Sequence, residues 1–511
     1  MKKIYIRLLL CLLGLSLGMV SCIHDGTTGF VNEVSDITIA KMSGDGMNES
    51  GDAAFVEFMK PVHFEAEVSQ SLKEYELAYE WRVGYISDYK DGKPVIDSMR
   101  FVSTEPALEY AFNRVGEFLV RLRVYNEFGS TFHYVTVTVK AGMETGLLVL
   151  SSDDAGNGRL SFCPVLSDAN ELLQAKAEDF NVDVWSMINP DFELRDAWDI
   201  CLMNSGNYKG SVFVLSESQK CIYELEKNTL MVLRKMDLTP LLEWDIQPVA
   251  LSVYNTNLGV LSKGGQVVGS QLTANGLVND SWWGKDMKAT KLYQADFINA
   301  AEEATIISFP MIADNDQEKM FLYQGSSKVY NSGNEFSGHR IINYLLVGER
   351  VKRLVVVSES KNSSGKVRIT VFNQVPDHWT LGELFAKESE SQVRDYSVSS
   401  PLTLTPESQV LYNGLWNEVF YTSGNKVYRW RYTDALPDAS ASGRNVLTIP
   451  GEATCIAQSP DGEYLYVGGY DAGASGLKGN VYVYKTQDFS FVAKFEGVAD
   501  KPLKLFYKDV K

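Results

Sequence analysis

Apolar and polar residues alternate with a period of two along much of the chain. In GEFLVRLRVYNEFG (116–129), the apolar residues of one face are Phe118, Val120, Leu122 and Val124. The next segment, FHYVTVTVK (132–140), alternates valine with threonine in the same way. Successive side chains of a β-strand point to opposite faces, so a period of two is typical of a half-buried strand. We therefore predict an all-β protein.

Two different strand patterns divide the chain. From residue 36 to residue 140 the strands are short, and YEWRVG places Trp81 where a small sandwich has its core tryptophan. This pattern predicts an immunoglobulin-type β-sandwich over 36–140. AGMETG (141–146) then separates this domain from a second one, which we place at 146–511.

The second domain repeats a hairpin of two apolar strands joined by a Gly, Ser or Asn turn. The repeats lie at 147–163, 212–225, 258–272, 320–332, 353–373, 418–432 and 463–485. Seven such hairpins predict a β-propeller of seven blades, and the alternatives are six or eight blades. The fourth starts only 33 residues before the fifth, so either 320–332 or the earlier strand TIISFP (305–310) belongs to that hairpin. LKLFYK (503–508) is expected to join the first blade near 147–151 and close the ring.

The N-terminus has the features of an export signal. Lys2, Lys3 and Arg7 precede an apolar run that ends at Val20, which is shorter than the roughly 20 residues of a membrane span. A small residue, Ser21, stands before Cys22, as at a lipoprotein cleavage site. We predict a signal peptide over 1–21, lipidation of Cys22 and a polar tether over 22–35. The alternative is an ordinary signal peptide with an incidental cysteine.

Composition narrows the classes of partner. The apolar fraction of 45% and the aromatic fraction of 12% are those of a globular protein. The formal charge of −17 would repel nucleic acid, so we expect no nucleic-acid partner. The remaining cysteines of the mature chain are widely spaced, which argues against a zinc site and leaves any disulfide undecided: Cys163, Cys201, Cys221 and Cys455.

The segments YEWRVG, EYAFNRVGEFLVRLRVYNEFGS and VTVTV resemble a PKD domain. Together with the Cys22 motif and the hairpin repeat, the chain resembles the PKD-like lipoproteins of Gram-negative gut-type bacteria. That resemblance implies a lipid-anchored outer-membrane protein, facing the cell surface and encoded beside a starch-utilisation-type uptake pair. The implied partners are a TonB-dependent transporter and its lid lipoprotein, and the implied ligand is a glycan or a peptide.

Catalytic motifs are not evident in the sequence. The five histidines are scattered, and neither H-E-x-x-H nor G-x-S-x-G occurs. The acidic segments 314–318 and 151–158 lack an EF-hand pattern, so we interpret both as turns. We therefore expect no catalytic residue, no metal and no cofactor. The candidate ligand-binding side chains are Trp282, Trp283 and Trp379, with burial beneath a loop as the alternative for each.

The sequence leaves three functions open. The first is a non-catalytic binding or accessory subunit in nutrient capture. The second is a propeller enzyme of lactonase or lyase type, which would need titratable side chains that converge on the central channel. The third is a structural or adhesive surface protein. Fold alone does not choose among them.

Replacement of the predicted lipid acceptor tests the anchor. We expect Cys22→Ser to fold normally but to leave the membrane fraction, because stable anchoring depends on buried acyl methylenes. Cys11→Ser, inside the predicted signal, is the matched control and should stay membrane-bound. Membrane fractionation with immunoblotting measures both; a Cys22→Ser protein that still sediments with membranes would contradict lipidation.

Overall fold

The computed structural model describes residues 34–509 apart from 165, 167–171, 173–174, 205, 241–246, 255–256, 300, 325–327, 387–392 and 399–400. The side chains of 254, 279–283 and 302–305 also lie outside the description. The predicted signal peptide, Cys22 and nearly all of the tether fall before residue 34. The chain divides into two compact units between Lys140 and Ala141. Within the described ranges, no helix is both long and apolar enough to cross a bilayer.

The first unit is built from nine strands in its described residues. They are β1 (Ile37–Gly44), β2 (Ala53–Glu57), β3 (Pro61–Gln70), β4 (Ala78–Lys90), β5 (Lys93–Ile96), β6 (Arg100–Ser103), β7 (Leu108–Ala111), β8 (Gly116–Asn126) and β9 (Gly129–Lys140). One sheet has the order β1-β3-β7. The other has the order β2-β9-β8-β4-β5, with β6 also paired to β4.

The core of this sandwich contains the apolar face of β8 that the alternation in 116–129 predicts. The side chains of Phe118, Val120, Leu122 and Val124 are buried along β8. Trp81 is fully buried on β4, and its indole N–H donates a hydrogen bond to the Glu105 carbonyl (2.8 Å). A buried indole N–H needs such a partner, so Trp81 holds the loop that contains Glu105 against the core.

The second unit begins with five strands and one short helix in its described part. They are β10 (Thr145–Ser152), β11 (Gly158–Pro164), α1 (Val184–Ile188), β12 (Ala197–Leu202), β13 (Val212–Ser216) and β14 (Cys221–Leu225). The strands that follow are β15 (Val232–Asp237), β16 (Pro248–Tyr254), β17 (Asn257–Ser262), β18 (Val267–Thr273), β19 (Gly276–Gly284), β20 (Ala289–Asn299), β21 (Glu302–Asp314), β22 (Lys319–Tyr323) and β23 (Val329–Asn331).

The last thirteen strands complete the unit. They are β24 (His339–Val347), β25 (Lys352–Ser360), β26 (Lys366–Val375), β27 (Val393–Ser397), β28 (Val410–Asn413), β29 (Glu418–Ser423), β30 (Lys426–Trp430), β31 (Val446–Thr448), β32 (Glu452–Gln458), β33 (Tyr464–Tyr470), β34 (Gly479–Lys485), β35 (Phe491–Ala499) and β36 (Lys501–Asp509).

These strands form seven sheets within the described residues. Six sheets have four strands in sequence order, starting at β12, β16, β20, β24, β28 and β32. The seventh has the order β11-β10-β36. The strands β36, β12, β16, β20, β24, β28 and β32 contact one another in that order, and β32 contacts β36 again. Seven sheets around a ring of innermost strands are the predicted seven-bladed propeller.

The ring is closed by the two ends of the unit. Strand β36 pairs antiparallel with β10, with Phe506 opposite Leu148 and Tyr507 opposite Leu147. Lys508 is fully buried, and its ammonium donates to the carbonyls of Met143 (2.6 Å) and Glu144 (3.1 Å). The expected pairing of 503–508 with 147–151 is therefore confirmed.

The fourth hairpin differs from the others. Six of the predicted hairpins are the second and third strands counted outwards from the channel, but 320–332 spans the third and fourth strands, β22 and β23. In this blade the second strand is β21, which contains TIISFP (305–310). The prediction of 320–332 as the central hairpin was therefore wrong, and the alternative strand TIISFP belongs to it. The acidic segment after Asp314 forms the tight turn between β21 and β22. The central hairpin of this blade therefore begins before the acidic segment and not after it.

Leu505 tests the ring closure. Its side chain is 3% exposed on β36, opposite Val149, within the apolar cluster that also contains Tyr466. We expect Leu505→Ala to lower the free energy of unfolding by about 2–5 kcal/mol, because it leaves a cavity at the closure. Leu503→Ala, at a half-buried position of the same strand, should cost less. Chemical denaturation measures both; equal losses would contradict the closure role of Leu505.

Candidate functional site in the propeller channel

Bulges shape the innermost strands. In the described structure, six of these seven strands shift register near their first residues, and β28 is the exception. The bulge on β12 lies at Trp198, that on β24 at Ile342 and that on β36 at Leu503. A bulge adds a residue and re-aims the side chains beside it. Asp199, Asn343 and Lys504 directly follow these three bulges, and Lys291 lies within the bulge of β20.

Asp199 and Lys504 join the first two blades. The Lys504 ammonium donates to Asp199 Oδ1 over 2.5 Å. The same carboxylate accepts backbone N–H bonds from Ile200 (2.8 Å) and Leu251 (2.8 Å). The Asp199 side chain is 12% exposed and that of Lys504 is 37% exposed. The ion pair is therefore reached by solvent on its lysine side.

Lys291 and Asn343 join the fourth, fifth and sixth blades. The Lys291 ammonium donates to Asn343 Oδ1 (2.8 Å) and to the Ser408 carbonyl (3.4 Å). The Asn343 amide donates to the carbonyls of Thr405 (2.9 Å) and Ser408 (3.0 Å). Within the described residues, no carboxylate lies within ion-pair distance of Lys291. Its partners are neutral, so this amine is held by dipoles alone.

The two lysines have opposite pKa shifts. Burial lowers the pKa of Lys291 to about 8; the negative charge of Glu407 opposes this shift and the positive charge of Lys504 adds to it. For Lys504, burial lowers the pKa, but the Asp199 carboxylate outweighs it and the pKa is raised. Lys291 and Lys504 lie on innermost strands, β20 and β36, on opposite sides of the ring, and the Lys504 charge acts on Lys291. We call Asp199, Lys291, Asn343 and Lys504 the channel cluster.

Trp198 stands beside the channel cluster and is 46% exposed. Its strand, β12, is bordered by β13 on the outer side and by β36 and β16 on the other two. The exposed indole therefore belongs to an innermost strand of the ring, directly before Asp199. Exposed tryptophans of this kind stack on sugar rings or on apolar parts of peptides.

An aromatic cavity lies between the sixth and seventh blades. Its volume is about 310 Å³, and its lining residues are Leu415, Trp416, Glu463, Tyr464, Lys485, Thr486 and Gln487. Trp416 is 38% exposed, and its indole N–H donates to Thr486 Oγ1 (3.0 Å). The ring is therefore fixed in one orientation at the wall of the cavity.

The tryptophans predicted from sequence have different outcomes. Trp282 and Trp283 are adjacent in β19, but their side chains lie outside the described residues. Trp379 is 68% exposed and its ring packs on His378, with 4.3 Å between ring centroids. Asp377 caps this turn by accepting the backbone N–H of Trp379 (2.8 Å). An exposed, fixed Trp379 is compatible with the predicted binding role, which stays a prediction.

The acidic segments are turns, as expected. Asp314 accepts backbone N–H bonds from Lys288 (3.0 Å), Asp316 (2.9 Å) and Gln317 (3.0 Å). Asp153 accepts the backbone N–H of Asn157 in the same way (2.8 Å). Among the described residues, no group of three or more His, Cys, Asp or Glu side chains could hold a metal ion.

All four cysteines of the second unit are free thiols, which decides the question of disulfides that the sequence left open. Each is buried, and burial raises the pKa of each thiol. A thiol with a raised pKa carries little thiolate and is chemically inert. The channel cluster contains no histidine and no named catalytic motif, so the sequence did not single it out. The available signal was a polar residue within the apolar run of a blade's first strand, as Asp199 is in AWDICL and Asn343 in IINYLLV.

The sandwich also carries an unusual surface, on the outer face of the sheet that contains β8. Arg121 lies between Arg82 and Tyr134 in register, and Arg123 is opposite Phe132. Glu80 accepts from Arg82 (2.9 Å) and Arg121 (2.8 Å), so these arginines share one carboxylate. Exposed rings flank the arginines: Phe101 57%, Phe132 46% and Tyr134 49%. We call this surface the arginine–aromatic face.

Residues 47–139 match the family model of the PKD domain. The first unit is therefore a PKD domain. This match agrees with the tryptophan strand and the paired valine strands from which the resemblance was drawn. No curated protein matches the chain in sequence.

Solved structures with a similar fold are distant in sequence. A quinonprotein alcohol dehydrogenase-like protein from Bacteroides thetaiotaomicron is 11% identical, with a TM-score of 0.46, and the match covers 93% of this chain and 99% of that one. Virginiamycin B lyase from Staphylococcus aureus is 9% identical, with a TM-score of 0.37, over 58% of this chain and 83% of that one. Similarity at this level does not bear on function.

The low pKa of Lys291 predicts a pH dependence of stability. Its pKa is about 8 in the fold and 10.5 ordinarily, so between these values the unfolded chain binds more protons and stability rises with pH. We expect Lys291→Met to show a smaller rise between pH 8 and 10 than the wild type. Lys263→Met, at an exposed position, is the control. Denaturation curves across this window measure the effect; parallel wild-type and Lys291→Met profiles would contradict it.

Proposed function

We propose that the protein is a surface-anchored, non-catalytic binding subunit that captures a glycan or peptide nutrient at the outer membrane. The observation that carries this proposal is the convergence of side chains from several blades on the channel. Asp199, Lys291 and Lys504 come from three different blades, and the exposed Trp198 stands beside them. Fixed polar groups around an aromatic surface are what a polar nutrient requires.

Neighbouring blades hold the channel cluster rigidly. Asn343 uses both amide donors, and its oxygen accepts from Lys291 and from the backbone of Tyr344 (2.9 Å). Asp199 is fixed in the same manner by two backbone N–H groups. Side chains already fixed before a ligand arrives lose little conformational entropy on binding, and this preorganisation favours recognition.

The arginine–aromatic face supports the accessory role. Arg121, Arg123 and the rings around them are the residue types that dominate the energy of protein interfaces. The face is locally basic on a chain whose net charge is −17, so it suits a partner with an acidic surface. We propose that the partner is an outer-membrane uptake complex of a TonB-dependent transporter and its lid lipoprotein. In this arrangement Cys22 would keep the protein on the same membrane.

A second candidate function is catalysis in the channel. A lysine with a pKa of about 8 is partly neutral near neutral pH, and a neutral amine can act as a base or nucleophile. This observation favours the enzyme alternative more than the sequence does. The absence of a described acid–base partner beside Lys291 favours binding over turnover.

The binding role can be tested with purified protein in mild detergent. We expect isothermal titration calorimetry against a panel of oligosaccharides and short peptides to find a ligand that binds. Trp198→Ala should weaken this binding by at least about tenfold, since it removes the stacking surface. Leu233→Ala, at an exposed apolar position on the outer strand β15, is the matched control and should bind normally.

The ligand is then recovered and analysed by mass spectrometry. Unchanged ligand supports the non-catalytic role, whereas a converted product would overturn it in favour of the enzyme. A panel without any binding ligand would contradict nutrient capture. If Trp198→Ala does not change the affinity, the ligand binds elsewhere on the protein. The channel would then no longer support the proposed function.

A further inference from the structure

The channel cluster has more spare hydrogen-bond donors than acceptors. An ammonium has three N–H donors. Lys504 uses one of them, on Asp199, and Lys291 uses two, on Asn343 and Ser408, among the described contacts. Three of the six N–H donors therefore have no partner among the described contacts, and both lysine side chains are partly exposed.

The acceptors around these amines are largely occupied. Asn343 Oδ1 accepts two hydrogen bonds, which is its capacity. Asp199 accepts three, from Ile200, Leu251 and Lys504. A carboxylate has about four acceptor sites, so one remains. The channel cluster can therefore bind a ligand that has hydrogen-bond acceptors. It has few free acceptors for a ligand that has only hydrogen-bond donors.

The two amines lie on opposite sides of the ring. Strand β36 carries Lys504, and two innermost strands, β12 and β16, separate it from β20, which carries Lys291. Lys504 has the Asp199 carboxylate beside it, whereas Lys291 has only neutral contacts, and the exposed Glu407 lies beyond ion-pair distance. Charge compensation is thus incomplete on the Lys291 side.

We propose that the channel binds its ligand through a carboxylate or another oxyanion placed between Lys291 and Lys504. This proposal rests on the proposed binding function and names the ligand's chemical class. A sugar acid and the C-terminus of a peptide both provide such a group. Charged hydrogen bonds from both ammonium groups would hold it, and the nearby indole of Trp198 would contact the rest of the molecule.

The experiment compares acids with matched neutral molecules. The probes are glucuronate against glucose, and acetyl-dialanine against acetyl-dialanine amide, measured by isothermal titration calorimetry on the full protein. We expect at least one acid to bind about tenfold or more tightly than its neutral match. Preference for glucuronate identifies a sugar acid, and preference for acetyl-dialanine identifies a peptide terminus.

Lys291→Met should abolish the preference for the acid. Lys494→Met, on the outer strand β35 where Lys494 pairs with Glu496, is the matched control and should keep it. Thermal unfolding checks that both variants fold. A preference that persists in Lys291→Met would overturn the proposal, as would equal binding of acids and neutral molecules.

The pH dependence provides a test without substitution. The charged groups that act on Lys291 are Glu407 and Lys504, and Lys504 is itself paired with Asp199. As the pH rises from 7 to 9.5, Lys291 loses its proton, so affinity for the acid should fall while affinity for a neutral probe should not. A flat profile would contradict the proposal. If neutral probes bind as tightly as acids and Trp198→Ala weakens their binding, the inference of an acidic ligand fails. The proposed nutrient-binding function would still stand in that case.

Discussion

The pairing of β36 with β10 is the interaction on which the second unit depends. It joins the last strand of the chain to the first strand of the propeller, and it places β36 as the innermost strand of that blade. Without it, β12 and β32 would each lose a neighbour, and the inner edge of β10 would be left unpaired. Buried Lys508 strengthens the closure by binding the carbonyls of Met143 and Glu144. The ring is thus closed by backbone pairing, apolar packing and one buried cation.

Ring closure also explains why the channel is polar. Each innermost strand has an edge without a partner strand, so its N–H groups need other acceptors. The N–H of Leu251 is taken by Asp199 and that of Val253 by Gln294 (3.3 Å), each from a neighbouring blade. The bulges at the start of these strands turn such side chains towards the channel. Polar groups required by the fold are therefore also available to a ligand.

Sequence reasoning predicted the architecture well and the site poorly, for a physical reason. The period-two alternation around Val120 and the repeated hairpins are local patterns, so they predicted the sandwich, the seven blades and the closure at 503–508. The channel cluster is not local: Lys291 lies on β20 and Asn343 on β24, and only the ring brings these strands into one circle with β36, which carries Lys504. The fourth hairpin was misplaced because both strand pairs flanking Lys319–Tyr323 fit a hairpin pattern equally well.

Native-state hydrogen exchange of the ring is the most direct test of this account. If β10 and β36 close the propeller, their amides should exchange only through global unfolding, with the same free energy as those of the inner strand β24. Mass spectrometry of peptides from 145–152, 339–347 and 501–509 gives the comparison within one experiment. Faster exchange of 501–509 than of 339–347 under native conditions would show that the last strand opens separately and would contradict the account.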